Sequence, residues 1–359
     1  MELQNFITKN KNYIDLFKEN NLKVKKYSKY NCIIVSNHYD NNLIYTDESD
    51  YWKMYCRGAV IDTVKNKIIC LPPSKSIDVD IDDINFDNPE VQVLLDGTMI
   101  NLFYKDEWII STRSEIGGYN KWSDKKSFGQ MFEDCLDFDY KLLNKNNSYS
   151  FVMRHIDNRN VSPITLNELY LVEVYSYRYK NVTRLPVTEY PDILKIDNIT
   201  NLDTLNEISD YYFKGYTIKQ GKKRYKLINN EYEKVKELKG SYNNDMLHYF
   251  ELRKNNKLKE YLKYFPEKNK YFLKYRNELH DLSNELYSFY KRIYIHKSIE
   301  KKEIPYYLKP LTRDIHKQYL NTKVPTSWNH IKEYVNSLPS KRLVFALNYK
   351  NKSQNKKVL

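Results

Sequence analysis

The sequence predicts an α+β protein in which an antiparallel-sheet domain (residues 1–239) precedes a basic, all-helical domain (residues 240–359). Short apolar runs separated by turn residues dominate the first part, which is typical of strands. Apolar residues spaced three and four apart dominate the second part, which is typical of helices. The 359 residues suffice for two domains, and a hydrophobic fraction of 41% suffices for a core.

The expected strands lie between residues 60 and 228. A hairpin is predicted at Val60–Ile61 and Lys67–Leu71. Further strands are predicted at Val91–Leu95, Met99–Tyr104, Trp108–Thr112, Ser150–Met153, Tyr170–Tyr177, Gly215–Ile218 and Tyr225–Ile228. Two interruptions, Asp96-Gly97 and Lys105-Asp106-Glu107, contain residues that favour turns between strands.

Other segments are expected to be helical or polar. Lys11–Asn20 predicts a short helix, and the acidic residues Ile77–Glu90 predict a polar connection. One helical face is predicted at Leu279, Leu282, Leu286, Phe289 and Ile293, and a second at Trp328, Ile331, Val335 and Leu338. Thr326 or Ser327 is the expected N-cap of the second helix, and Pro339 its stop. The tail Asn351–Leu359 is expected to fray.

Positive charge is concentrated in the C-terminal third. Residues 240–359 contain 25 Lys and Arg against 11 Asp and Glu, whereas the remainder contains 34 against 35. A localised positive field favours a polyanion such as nucleic acid, although the same lysines also suit a solvated surface. By charge alone, the candidate RNA contacts are Lys254, Lys257, Lys259, Lys291, Arg292, Lys301 and Lys302.

The spacing of the cysteines and the hydropathy of the chain indicate the cellular compartment in which the protein is expected. The four cysteines are far apart and form no CxxC pair, so neither a disulfide scaffold nor a zinc site is expected. The first residues do not form a secretory signal, and no stretch approaches the ~20 apolar residues of a membrane span. A reducing, cytoplasmic location without a membrane partner is therefore predicted.

The most informative stretch is Leu94-Leu95-Asp96-Gly97-Thr98. It is flanked by Cys56-Arg57-Gly58-Ala59-Val60-Ile61-Asp62, Leu71-Pro72-Pro73-Ser74-Lys75 and Ser111-Thr112-Arg113-Ser114. In this order the motifs resemble those of the phage-type tRNA-repair RNA ligases, which belong to the covalent nucleotidyltransferase superfamily. The resemblance is specific over Tyr55–Ser114, weaker over Phe151–Tyr232, and only architectural after Gly240.

That resemblance implies a nucleotidyltransferase (ATP-grasp-like ligase) domain. In the family a lysine attacks the α-phosphorus of ATP, with Mg²⁺ bound, and AMP then passes to an RNA 5′-phosphate. Carried over by position, Arg57 and Lys75 are expected to contact phosphates. Asp96 and Gly97 are expected to shape the turn that presents the nucleophile.

The chain departs from the family pattern at four positions. Leu94 replaces the nucleophilic lysine, and Val152, aligned on the Asn-Arg at 158–159, replaces a glutamate. Lys214 replaces a second glutamate, and Ile228 replaces one lysine of a pair whose other member is Lys226. If the third motif is shifted, Glu173 is the alternative carboxylate. These losses predict a degenerate ligase without a metal site.

Three functions are compatible with these residues. The first is a degenerate ligase that binds tRNA, single-stranded RNA ends or a nucleotide, as a partner to an active ligase or repair enzyme. Arg57, Lys75, Lys226 and Lys214 would then form a cationic, metal-independent phosphate pocket; the alternative is an empty cleft. The second is an active enzyme that uses ATP, Mg²⁺ and a displaced lysine: Lys75, Lys105 or Lys214. The third is an interaction protein that keeps only the fold. His155 is interpreted as structural.

Overall fold

The computed structural model describes residues 1–37, 48–80, 89–121, 126–178, 181–199, 210–242 and 244–355. Contacts divide the chain into two compact units, Met1–Lys236 and Glu237–Leu359. The first unit contains three sheets. In the described part of the second unit, all regular elements are helical. The model is therefore a mixed α+β structure, as the sequence predicts.

The amino-terminal sheet has the order β1-β2-β3-β4 and is antiparallel. Its strands are β1 (Leu22–Tyr27), β2 (Cys32–Asn37), β3 (Arg57–Asp62) and β4 (Lys67–Cys70). The predicted hairpin is confirmed as β3–β4, and its turn is held by Asp62, whose Oδ1 accepts hydrogen bonds from the amides of Val64 and Lys65. This is the local side-chain chemistry that favours a turn over continued strand.

Both faces of the amino-terminal sheet are buried. Ile33, Val35 and Ile61 pack against helices α1 (Glu2–Lys9) and α2 (Tyr13–Glu19). The alternate residues Ile34 and Val60 pack with Phe103 and Ile109 of the next sheet. The period-two alternation of strands therefore gives each face its own apolar contacts. Helix α2 confirms the helix predicted within 11–20.

The five-stranded sheet has the order β11-β10-β9-β7-β8. Its strands are β7 (Thr98–Lys105), β8 (Glu107–Ser111), β9 (Asn147–Arg154), β10 (Glu168–Arg178) and β11 (Asn181–Leu185). One face packs on α3 (Phe128–Asp134), where Phe132 and Met131 meet Phe151 and Tyr149. The predicted strands in this region are confirmed.

The mixed sheet has the order β5-β13-β12-β6. Its strands are β5 (Ile77–Asp78), β6 (Glu90–Val93), β12 (Gly215–Gln220) and β13 (Lys223–Ile228). The prediction of a purely polar connection over 77–90 is wrong at its start, because Ile77 and Asp78 pair in parallel with Tyr225 and Lys226. Residues 81–88 of that prediction lie outside the described residues.

Helix α4 (Asn230–Lys239) leads into α5 (Asp245–Lys254), α6 (Leu258–Tyr264), α7 (Asn269–Tyr290), α8 (Lys309–Thr322), α9 (Trp328–Ser337) and α10 (Ser340–Asn355). Helix α7 buries Leu279, Leu282 and Leu286 as predicted, but Tyr290 replaces Phe289 on the buried face. Ser327 caps α9, since its side chain accepts from the amide of His330. Across the described chain, every helix is too short or too polar to cross a bilayer.

The tail prediction is wrong for its first part. Asn351–Asn355 continues α10 instead of fraying, and residues 356–359 lie outside the described residues. The apolar positions Leu343, Ala346 and Leu347 hold this helix in the unit through their burial. The four cysteines are buried as free thiols.

Candidate functional site

The segment Leu94–Thr98 connects two sheets. Strand β6 ends at Val93 in the mixed sheet, and β7 begins at Thr98 in the five-stranded sheet. The predicted break between strands at Asp96-Gly97 is confirmed, and the two strands that it separates belong to different sheets. The amide of Leu94 donates to the carbonyl oxygen of Gly215 at 2.8 Å, which fixes the segment to β12.

Asp96 organises this connection. Its Oδ2 accepts from the amides of Val161 and Ser162 at 2.8 and 2.9 Å, and its Oδ1 accepts from the hydroxyl of Tyr232 at 2.8 Å. The residue is 6% exposed. Both carboxylate oxygens are thus engaged by protein donors, which is how a buried carboxylate remains stable. Asp96 fixes the segment, as the motif implies; its direct contact with a nucleotide stays a prediction.

Position 97 requires glycine because the backbone of β9 lies too close to leave room for a side chain. A β-carbon here would lie 2.6 Å from the carbonyl oxygen of Met153 and 2.7 Å from Cγ1 of Val152. The side chain of Asn160 donates to the carbonyl oxygen of Gly97 at 3.0 Å, and that of Asn158 donates to Oγ1 of Thr98 at 2.6 Å. The Asn158-Arg159 motif therefore supports the segment, and Val152 lies beside it.

The amine of Lys214 lies against the same segment. Its Nζ donates to the carbonyl oxygen of Leu95 at 3.4 Å and is 3.8 Å from Oδ1 of Asp96. The ring centroid of Tyr232 is 5.8 Å from Nζ. Burial of the amine lowers the pKa of Lys214, and the positive charges of Lys236 and Lys226 act in the same direction, whereas Asp96 opposes them. A cation thus lies beside Leu94-Leu95.

The mixed sheet presents its residues in rows, because paired positions on adjacent strands share a face. Gly215 pairs with Ile228 in the first row, next to Leu94. Gln92, Thr217, Lys226 and Asp78 form the second row. Glu90, Lys219 and Arg224 form the third row.

One predicted phosphate contact, Lys226, lies in the second row, and others act on Lys75 through their charge. Lys226 forms an ion pair with Asp78 at 2.8 Å. Burial lowers the pKa of Lys75, and Arg57, Lys226 and Arg113 lower it further through their positive charges. Repulsion of this kind requires the cations to lie near one another. The charges of Arg57, Lys226 and Lys75 therefore act on one another, as do those of Lys214 and Lys226, whereas a phosphate pocket formed by the four cations stays a prediction.

The third row was not foreseen from the sequence. Glu173 of β10, 5% exposed, accepts from Arg184 Nε at 2.9 Å and lies 3.9 Å from Nη1 of Arg224. Glu90 pairs with Lys219 at 2.9 Å and with Arg184 at 3.2 Å. These ion pairs join the five-stranded and mixed sheets. Glu173 was the alternative candidate for the missing carboxylate, but its side chain is already paired with arginine.

A cavity of about 340 Å³ adjoins the third row. Residues of both sheets line it, together with Tyr55 and Ser74, the neighbours of Cys56-Arg57 and Lys75 in sequence. Within the part of the chain that the structure describes, Oε2 of Glu173 and Nη1 of Arg224 are buried and have no hydrogen-bond partner. The charged residues that line the cavity are five cations and two carboxylates, so their charge favours an anion there: Arg184, Lys219, Lys222, Lys223 and Arg224 against Glu2 and Glu173.

Two other sequence candidates lie elsewhere. Lys105 ends β7, about 23 Å along the strand from Thr98, and pairs with Asp62 at 2.5 Å. His155 is fully buried; its Nδ1 accepts from the amide of Asp157 and its Nε2 donates to Asp134 at 3.1 Å. Lys105 and His155 are thus held by structural partners.

The candidate RNA contacts in the helical unit are accessible but dispersed along the chain. Lys254, Lys257 and Lys259 are exposed around the end of α5 and the start of α6. Lys291 and Arg292 lie in a short π-helical segment, each over an aromatic ring. Lys301 and Lys302 are also exposed. Their RNA contacts stay a prediction.

The residues around Leu94–Thr98 and Lys226 do not suit a divalent cation. The oxygens of Asp96 are engaged by protein donors, Asp78 is paired with Lys226, and Lys214 adds a positive charge. Among the residues that the structure describes, no cluster of three His, Cys, Asp or Glu side chains could hold a metal. Hard cations such as Mg²⁺ require several unshared oxygen ligands, so the donor set present here does not fit Mg²⁺.

No family model matches the chain, and no curated relative matches it. Among solved structures, it is similar to a Naegleria gruberi RNA ligase with pyrophosphate, at 18% identity and a TM-score of 0.31, over 42% of this chain and 52% of that one. It is also similar to a putative ATP-dependent DNA ligase from Aquifex aeolicus, at 11% identity and a TM-score of 0.43, over 94% and 78% of the two chains. The chain spans about half the length of the Naegleria ligase.

Proposed function

We propose that the chain is an RNA ligase-like protein that binds a nucleotide or an RNA phosphate in the cleft of its sheet unit and does not adenylate itself. The observation that carries this proposal is the environment of Leu94. A hydrocarbon side chain stands where the motif calls for an amine, and it has no lone pair with which to attack phosphorus. The segment that holds it is nevertheless fixed in place by Gly215 and Asp96.

The cations Arg57, Lys75 and Lys226 support phosphate binding. Burial lowers the pKa of Lys75, and the positive charges of Arg57 and Lys226 lower it further. An anionic ligand would relieve that repulsion, and Arg and Lys are the side chains that bind phosphate most strongly. Because the cleft lacks unshared carboxylates, this binding would not need a divalent cation.

Calorimetric titration with ATP, in Mg²⁺ and in EDTA, tests the proposal. We expect binding in both buffers, and Lys226→Met should weaken it by about tenfold or more, the loss of one charge-assisted hydrogen bond. The matched control is Lys234→Met, an exposed lysine paired with Glu231. Absence of heat in both buffers, or an equal effect of the two substitutions, would contradict the proposal.

A second candidate function is favoured by the position of Lys214. Its amine is beside Leu95, and its lowered pKa increases the neutral, nucleophilic fraction. In that reaction the Nζ–phosphorus bond to the nucleoside phosphate forms as the bond to pyrophosphate breaks, and the amine loses its proton to solvent. Incubation with α-³²P-labelled ATP and GTP, followed by a denaturing gel, separates the two functions. A covalent label that Lys214→Met abolishes would replace the first proposal with this one.

RNA is the proposed macromolecular partner, as tRNA or single-stranded ends, and an active ligase or repair enzyme is the proposed protein partner. The supporting observation is the charge of residues 240–359, with 25 Lys and Arg against 11 Asp and Glu. Gel shifts with tRNA and with single-stranded RNA at 50 and 200 mM salt test this proposal. We expect affinity to fall steeply with salt. A protein that binds neither RNA nor ATP would instead be an interaction protein that keeps only the fold.

A further inference from the structure

Helix α10 has one face whose side chains are exposed. Its residues Ser340–Asn355 include no Asp or Glu. Leu343, Ala346 and Leu347 are buried, whereas Lys341, Phe345, Tyr349 and Lys352 are exposed. A helix that exposes large aromatic side chains together with cations differs from an ordinary solvated face, which carries mainly polar and charged residues.

These four residues form a continuous stripe. Lys341, Phe345 and Tyr349 follow at four-residue intervals and Lys352 three residues later, so each is a neighbour of the next on the helix surface. The stripe is about 16 Å long. Two aromatic rings therefore lie between two cations along one line.

Tyr306 extends the stripe sideways. Its ring centroid is 4.8 Å from that of Tyr349, and Phe345 and Tyr349 are 6.1 Å apart. Tyr306, Phe345 and Tyr349 are 59, 54 and 40% exposed. The three rings thus form a contiguous exposed aromatic surface, which solvent alone does not favour.

The cations of α10 divide into paired and unpaired sets. Arg342 pairs with Asp314, and Lys350 pairs with Glu285 at 2.8 Å, toward the body of the unit. Within residues 1–355 as described, neither Lys341 nor Lys352 has a carboxylate within ion-pair distance. The exposed side therefore keeps its positive charge for an external anion.

We propose that the stripe of Lys341, Phe345, Tyr349 and Lys352, with Tyr306, binds single-stranded nucleic acid. Bases stack on the rings, and the two lysines contact phosphates on either side, the combination typical of single-strand binding surfaces. A duplex keeps its bases stacked on one another and cannot use the rings. This inference extends the RNA binding proposed above but does not depend on the cleft.

A second copy of the chain is a less favourable ligand for this stripe than a nucleic acid is. In a two-fold contact the same patch faces itself, so the Lys341 and Lys352 side chains of both copies would meet like charges with no carboxylate on α10 to offset them. Charge complementarity therefore favours a polyanion.

Fluorescence anisotropy with labelled oligo(U), oligo(dU) and a duplex of equal length tests the inference on the full chain. We expect Phe345→Ala and Tyr349→Ala each to weaken single-strand binding at least about fivefold. Lys341→Gln and Lys352→Gln should each reduce the slope of log affinity against log salt by about 0.7. Equal affinity for oligo(U) and oligo(dU) would show that the surface reads bases and phosphates without the 2′-hydroxyl.

Two controls make the test specific. Tyr271→Ala removes an equally exposed ring from α7, and Lys274→Gln removes an exposed lysine paired with Glu278. Neither should change the affinity or the salt slope. Unchanged binding by the Phe345 and Tyr349 variants, or a change in their oligomeric state on size-exclusion chromatography instead, would overturn the inference. ATP titration of the same variants separates this failure from failure of the cleft proposal.

Discussion

The hydroxyl of Tyr232, on α4, donates a hydrogen bond of 2.8 Å to Oδ1 of Asp96, in the segment between two sheets. Tyr232 is 2% exposed, and its pKa is raised by burial and by the Asp96 carboxylate, so the phenol stays protonated and remains a donor. The start of α4 is therefore tied directly to the segment that carries Leu94.

Tyr232→Phe should lower the free energy of unfolding by about 1.5–3 kcal/mol, because a buried carboxylate loses one of its donors. Urea denaturation measures the change. Tyr216→Phe is the matched control, since Tyr216 is also buried in this unit but no hydrogen bond of its hydroxyl is found among the described residues. Equal effects of the two substitutions would argue against a special role for the Asp96 contact.

Gly97→Ala should destabilise the protein by about 1–3 kcal/mol, because the new methyl group meets the Met153 carbonyl oxygen and Val152. Gly129→Ala provides a control of opposite sign. Its new β-carbon would be 3.5 Å from the nearest atom, and the residue lies inside α3. Alanine stabilises a helix relative to glycine by up to about 1 kcal/mol, so this variant should unfold at a higher temperature than the wild type. Destabilisation by both would disprove the close approach at Gly97.

From the burial of the Lys214 amine we expect the free energy of unfolding to change with pH in the alkaline range. Burial lowers its pKa below the usual 10.5, so the folded protein holds this proton less tightly than the unfolded chain does. The cost of the buried charge is full at pH values below the folded pKa and disappears as the pH rises to 10.5. Wild type should therefore gain stability relative to Lys214→Met as the pH rises through that window. Denaturation at pH 7, 9 and 10 measures the difference; a constant difference would refute the prediction.

Glu173→Gln should destabilise the protein by about 3–5 kcal/mol, because Arg184 and Arg224 lose a shared buried partner. The control is Glu231→Gln, which removes an exposed pair with Lys234 and should change stability by less than about 0.5 kcal/mol. Thermal and urea unfolding of both variants supply the comparison. A small change in stability on Glu173→Gln would mean that water can stabilise the charges of the two arginines in place of the carboxylate.

Leu94→Lys should not restore covalent labelling with ATP. The oxygens of Asp96 are engaged by protein donors, Asp78 is paired with Lys226, and the Lys214 amine adds a positive charge, so the donor set does not fit Mg²⁺. Electrostatic stabilisation of the reacting phosphate is usually the largest part of such catalysis. Denaturing gels with α-³²P-labelled ATP measure the product. A labelled Leu94→Lys protein would show that only the nucleophile is missing.

Local sequence patterns predicted where the strands lie better than they predicted which strands pair with one another. The alternation in β13 and the turn residues around β7 and β8 were enough to locate these strands. Asp96-Gly97 was located correctly as a break between strands, but its local chemistry did not show that β6 and β7 belong to different sheets, because membership of a sheet depends on pairing with distant strands. The third row shows the same limit, since Glu173 meets Arg184 and Arg224 only when two sheets come together. The alternation of Arg224, Lys226 and Ile228 was the one signal that could have indicated it.

The contacts that shape residues 94–98 come from main-chain groups and from Asp96, Asn158 and Asn160. The Leu94 side chain supplies none of these hydrogen bonds. Side-chain chemistry and backbone architecture are therefore separable at this point of the chain, since residue 94 can be exchanged without removing any of these hydrogen bonds.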